Sequence, residues 1–208
     1  MPTATDDPTT PREPARYGRV TPQAYLVRER AAEYRSEYHD GEIVAMGGAS
    51  PAHNRIVRNV AGELSNALGD GPCEHFIADL RVQLSEADWY VYPDIVVACG
   101  EAVFDASDNL QNPTLVIEVL SPSTERKDRG TKFAAYRERE TLREYVLVAQ
   151  DRPYVEVHRR TVENVWTCVL VIDRLDADVP LVSIGCAIPM AAIYRRVFPA
   201  LVPKDASG

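Results

Sequence analysis

The chain is 208 residues long and 45% apolar, enough for one domain with a real core but not for two full domains. Its 23 Lys and Arg against 31 Asp and Glu give a net charge of −8, which excludes a histone-like or tail-driven nucleic-acid binder but leaves room for a local basic groove. No apolar run approaches the ~20 residues that span a bilayer, and Met1 to Arg16 lack an apolar signal core, so the sequence predicts a cytoplasmic protein with no membrane partner.

Residues 1–16, with Pro2, Pro8, Pro11 and Pro14 and no apolar period, read as a disordered lead-in. A single domain is expected over 17–198, followed by a flexible tail at 199–208. Thr21-Pro22 opens a helix to about Tyr34. Asp40-Gly41 marks a short hairpin between Ser36–His39 and Glu42–Met46. Ser50-Pro51 opens a second helix, with Ile56, Val60, Leu64 and Leu68 on one stripe. Phe76 to Leu84 alternates as one strand, with Asp79, Arg81 and Gln83 on one face. Tyr90 to Ala98 is a second strand, interrupted at Pro93-Asp94.

Thr114 to Leu120 is a nearly continuous apolar run, the mark of a strand buried on both faces. Ser121 to Thr124 end it and cap a helix to about Arg139. Strands follow at 144–149, 154–159 and 165–171, and the remainder is strand-poor apart from a short helix at 190–194. The order predicts an α/β (α+β mixed) domain with one crossover helix between Leu120 and Glu144. Cys73, Cys99, Cys168 and Cys186 form no CxxC pair, so a structural zinc site is not expected and all four are read as reduced, buried small hydrophobes.

Glu118 sits in the middle of Leu-Val-Ile-Glu-Val-Leu, where an unpaired buried charge would cost several kcal/mol. A metal ion, a cationic partner or an opening of the sheet must offset it; a strand-end glutamate paired to an Arg is the bland alternative. Asp94 follows Pro93, which cannot donate to a ladder and so marks an edge or bulge; its bland alternative is a turn aspartate capping its own backbone. Lys132 lies on the helix after the Glu118 strand, where an exposed Asp128–Lys132 ion pair is the alternative. Two carboxylates on adjacent strands can hold Mg²⁺ or Mn²⁺, since the ligands are oxygens. A lysine beside that ion can orient water and offset charge on a phosphoryl group. Together they are equipment for metal-assisted phosphodiester hydrolysis.

Tyr92-Pro93-Asp94-Ile95-Val96-Val97, Leu115 to Thr124 with its Glu-Val-Leu-Ser-Pro-Ser-Thr block, Asp128, Lys132 and Glu144 to Val148 resemble the Uma-two family of restriction-endonuclease-like proteins, over about Thr21 to Val171. The resemblance implies the PD-(D/E)XK nuclease superfamily, with a restriction-endonuclease-like central mixed sheet flanked by helices. It also implies a Mg²⁺ (or Mn²⁺) site, and nucleic acid, DNA in preference to RNA, as substrate. Asp94 matches the motif's aspartate and Glu118 its (D/E) position. The lysine expected two residues after the acid is replaced by Leu120, and Lys132 is the natural substitute.

Four further residues are candidates. Asp79 could be a third metal carboxylate and Arg81 its partner, or the two a structural ion pair. Glu42 could reach the site from the hairpin, or be an exposed hairpin glutamate. His53 could face the site's rim, or be a core or capping histidine. The basic residues from Arg126 to Arg143 mark where phosphate contacts would concentrate. The displaced lysine and the net charge of −8 favour a rival reading, a catalytically impaired nucleic-acid- or protein-binding module on the same fold. A tyrosine-rich assembly scaffold is a third. Soluble chains of this size often form homodimers, and oligomeric state stays open here.

Overall fold

The computed structural model describes residues 19–85 and 89–198; the lead-in expected at 1–16 and the tail expected at 199–208 lie outside the described residues. In chain order the elements are α1 (Pro22–Ala31), β1 (Ser36–His39), β2 (Glu42–Ala45), α2 (Pro51–Leu68), β3 (Cys73–Ile77), β4 (Val82–Ser85), β5 (Trp89–Val91), β6 (Ile95–Cys99) and β7 (Leu115–Leu120). The crossover follows as α3 (Glu125–Lys127), a π-helical turn (Asp128–Lys132) and α4 (Phe133–Arg137). The chain then runs through β8 (Glu144–Ala149), β9 (Val155–Arg160), β10 (Trp166–Ile172), β11 (Asp178–Leu181), β12 (Cys186–Pro189) and α5 (Met190–Ile193).

A six-stranded mixed sheet in the order β10-β9-β8-β7-β6-β3 forms the centre. Only the β7–β8 pair is parallel among its described pairings, because the helical crossover returns the chain in the same direction. A four-stranded sheet, β2-β1-β5-β4, stands beside it. α2 lays Ile56, Val60 and Leu64 on one face of the central sheet, against Ile117, Val119 and Val146, and α5 and the β11–β12 hairpin complete that layer. The other face packs Val116, Leu120 and Leu147 against Val82, Leu84 and Val91 of the four-stranded sheet and Tyr136 of α4. Among the described residues no helix is long and apolar enough to cross a membrane.

Local chemistry accounts for the ends. Thr21 and Ser50 cap α1 and α2 by accepting from the backbone N–H of Ala24 and His53, each with Pro at the first helical position. Asp40 and Gly41 both take positive φ (46° and 84°), as a two-residue hairpin turn of this twist requires.

Four expectations need correction. The helix read to Tyr34 ends at Ala31. The single strand read over Phe76–Leu84 is two strands in different sheets, broken where Ala78 turns into the left-handed region at φ 47°. Asp79 and Arg81 therefore share no strand face. The strand-poor C-terminal region contains the β11–β12 hairpin, whose Pro180 and Pro189 hid the pattern. Finally, Cys73 and Cys99 stand directly opposite across β3 and β6 and are joined by a disulfide, while Cys168 is exposed. Residue context without strand pairing could not show that two cysteines 26 positions apart meet.

Candidate active site

The register Ile95↔Ile117 between β6 and β7 sets Asp94 opposite Glu118. Pro93 has no N–H for the ladder, and the backbone pairing opens there into side-chain contacts. The Asp94 N–H donates to Glu118 Oε2 at 3.3 Å, and the Val119 N–H donates to Asp94 Oδ2 at 2.7 Å. The two carboxylates thus meet at a gap in the sheet. Asp94 faces the solvent side of it, with its side chain 21% exposed against 4% for Glu118.

The two-residue strand period puts Glu118 on the face of Val116 and Leu120, which is the face the crossover covers. Lys132 comes down onto it from the π-helical turn, a wider coil that often marks functional sites. Its ammonium lies 2.9 Å from Glu118 Oε1, 3.1 Å from Glu37 Oε1 and 3.8 Å from Asp128 Oδ1. The exposed Asp128–Lys132 pair considered from sequence is therefore not what forms, because both residues are buried.

Glu37, which the sequence reading missed, arrives from β1 and also accepts from Lys127 Nζ. It sits next to Tyr38 on the strand that the sequence reading did identify, and nothing in that short stretch distinguishes it from Glu42. His53 reaches Asp94 from the first turn of α2, with Nε2 3.2 Å from Oδ2. That turn is anchored by the Ser50 hydroxyl, which donates to Gln150 just after β8.

Charge in the cluster is unbalanced: Glu37, Asp94, Glu118 and Asp128 face Lys127 and Lys132. Burial pushes the Glu118 carboxyl up to about 8; Lys132 opposes this, while Asp128 and Asp94 add to it. One ammonium divided among three carboxylates does not offset complete burial. Burial likewise raises Asp128 against the pull of Lys132. Burial would raise Glu37 too, but Lys132 and Lys127 outweigh it and hold that carboxyl below its ordinary value. Burial disfavours the Lys132 cation, yet Glu118, Glu37 and Asp128 together hold it charged well above the usual lysine range.

The donor set suits a small hard cation. Glu118 Oε1 is buried without an aligned hydrogen-bond donor despite the nearby ammonium, and it adjoins the more open Asp94. Among the described residues no group of three or more His, Cys, Asp or Glu side chains is placed to hold a metal. A two-carboxylate site completed by water and substrate oxygens is how Mg²⁺ is commonly bound.

The remaining candidates lie elsewhere. Asp79 is exposed and pairs with Arg35 at 3.5 Å. Arg81 is buried and donates to the Ser107 carbonyl at 2.9 Å. Glu42 is exposed on β2, facing His39. Much of the basic crossover is engaged by protein: Lys127 by Glu37, Arg129 by Glu125 and Glu156, Arg139 by Gln111, with Arg137 lying over the Phe133 ring.

Comparison with known proteins decides the family. The Uma2 family, described as "Putative restriction endonuclease", matches residues 22–188. The chain belongs to the Uma2 family. Two relatives from Synechocystis sp. are named "Uncharacterized protein slr1290" and "Uncharacterized protein sll1609". The first is 34% identical over 87% of this chain and 94% of its own length, and the second 38% identical over 71% and 84%. The fold is shared with a solved Anabaena variabilis protein titled a "putative nuclease belonging to DUF820", at TM-score 0.68 and 20% identity. That likeness covers 86% of this chain and 99% of the other. This Uma2 chain shares that protein's fold; in this chain the gap between β6 and β7 holds the acidic pair.

Proposed function

We propose that this Uma2 protein is a divalent-metal-dependent endonuclease that hydrolyses phosphodiester bonds of nucleic acid, DNA in preference to RNA. The observation that carries the reading is Lys132 Nζ at 2.9 Å from Glu118, beside Asp94 across the sheet gap. The DNA preference follows the family description. Asp94 and Glu118 would hold Mg²⁺ or Mn²⁺, and such a cation polarises a phosphoryl oxygen and makes bound water acidic.

The chain's own groups do the rest. Lys132 carries a fixed positive charge at the place where charge grows on the phosphoryl oxygens, and its N–H groups can hold the attacking water. Glu37 and Asp128 hold the ammonium so that it need not reorganise during reaction. His53 is a positioning residue: its imidazole, set by the first turn of α2, steadies the Asp94 carboxylate. The impaired binding module drew its support from the net charge of −8 and from Leu120 standing at the usual lysine position; an ammonium already beside Glu118 weakens the second of these arguments.

The test is cleavage of supercoiled DNA and of RNA with Mg²⁺ or Mn²⁺, with and without chelator, by the wild type and Lys132→Met. Chelator-sensitive cleavage that Lys132→Met loses by 10²-fold or more is expected. Binding of nucleic acid without cleavage under any of these conditions would instead assign the chain to the binding-module class.

A further inference from the structure

The last turn of the domain carries a cationic pocket that the acidic site does not use. Arg58 of α2 and Arg195 and Arg196, just past α5, line a surface cavity of about 330 Å³. All three are exposed, and among the described residues none pairs with a carboxylate. In a chain with eight surplus acids, three guanidinium groups gathered without an acid repel one another, and an anion is what relieves that repulsion.

The pocket is built on a rigid support. The buried Asn59 side chain donates to the carbonyls of Ile193 and Arg195, both at 2.9 Å, and accepts from Arg58 Nη2 at 3.1 Å. Tyr194, between the two sides, is buried and fixed by its hydroxyl to Ala149 and Tyr154. Arg196 is held at φ 61°, a conformation that residues with a side chain rarely adopt. Such outliers persist where the surroundings impose them, and they concentrate at ligand clamps.

α2 links this pocket to the candidate active site. His53 meets Asp94 from its first turn, and Arg58 stands five residues later, about 7.5 Å further along the axis. Arg58 also lies about 140° around the helix from His53, on its solvent face, so a strand leaving the acidic gap past the first turn of α2 meets the arginines only by running along that outer face.

We propose that Arg58, Arg195 and Arg196 form a phosphodiester-binding subsite that holds the nucleic-acid backbone on the outer face of α2, away from the acidic gap. This rests on the nuclease reading above and supplies the basic contact that the crossover, engaged with its own carboxylates, offers less readily.

The experiment is fluorescence anisotropy of labelled single- and double-stranded oligonucleotides, in chelator to prevent cleavage, over a range of salt. It compares the wild type, Arg58→Gln/Arg195→Gln/Arg196→Gln, and the single-charge surface control Arg174→Gln, whose guanidinium pairs with Asp176. The triple variant should bind at least tenfold more weakly at ~0.1 M salt. Its slope of log affinity against log salt should be shallower by about 2, since each lost phosphate contact removes roughly 0.7–0.9. The control should match the wild type.

Arg58→Gln/Arg195→Gln, which leaves the left-handed position alone, replaces the triple variant should that fail to fold. Unchanged affinity and slope in an arginine variant would overturn the subsite, even if Lys132→Met still abolishes cleavage and the nuclease reading stands. Binding through the arginines, together with no cleavage in the Mg²⁺ or Mn²⁺ assay above, would keep the subsite and sink the nuclease reading. Inorganic phosphate bound at the arginines by a wild type that binds no oligonucleotide would assign the pocket to a small phosphate and overturn the backbone assignment.

Discussion

Lys132 Nζ and Glu118 Oε1 lie 2.9 Å apart although the residues are fourteen positions apart in the chain. A lysine two residues after an acid on the same strand would share its face by the two-residue period. Here Leu120 takes that position and packs into the core, while the crossover that covers the same face delivers the ammonium from above.

The pair predicts a specific stability effect. Lys132→Met leaves the buried Glu118, Glu37 and Asp128 without their shared cation, and breaking such a cluster costs about 3–5 kcal/mol. The cost should be smaller at pH 5, where Glu118 holds its own proton. Urea denaturation at pH 5 and at pH 8 measures both values, and a loss under ~1 kcal/mol at pH 8 would contradict the geometry.

Glu118 also sets a pH trend. Its carboxyl is raised by burial from an ordinary 4.5 to about 8, so between these values the folded protein keeps a proton that the unfolded chain releases. Its contribution is full below about pH 4.5 and is lost as pH rises through 8. Relative to Glu118→Gln, the metal-free wild type should lose stability across that window, and Mg²⁺ should restore part of it at the upper end. Parallel stability curves for the two proteins in chelator would be the contrary result.

Glu37 and Glu42 make a sharp contrast on one hairpin. Glu37→Gln removes a partner of both Lys127 and Lys132, and is expected to lower cleavage at least tenfold while leaving the Asp94–Glu118 pair able to take a metal. Glu42→Gln, on the exposed strand, should change neither. Cleavage rates with a parallel Mn²⁺ titration separate the two effects.

Much of this was legible in the sequence. Pro93-Asp94, and a lone glutamate in a strand apolar on both sides, pointed to two acids on neighbouring strands, because burying a charge has few physical solutions. Lys132 was reachable through its place on the crossover. Glu37, Arg58, Arg195 and Arg196 were not, since ordinary surface-type residues acquire their roles only when distant segments meet, here through strand pairing and the Asn59 anchor. Asp79 looked like a ligand only while Phe76 to Leu84 was one strand; the left-handed turn at Ala78 carries it out to Arg35.

The disulfide has its own consequence. Closing a loop across 26 positions is worth about 3–4 kcal/mol in the chain-entropy account. Thiol titration of the denatured protein should count two free thiols, Cys168 and Cys186, without reductant and four with it. Reductant should lower the melting temperature, and four free thiols before reduction would mean the Cys73–Cys99 bond is not formed in the purified protein.

The central claim is that Asp94 and Glu118 together form a divalent-metal site. Calorimetric titration of Mn²⁺ into the wild type, Asp94→Asn and Glu118→Gln tests it most directly, with each variant checked for an intact fold. The account predicts one ion bound by the wild type and binding weakened at least tenfold in each variant. Equal Mn²⁺ affinity in all three proteins would contradict it.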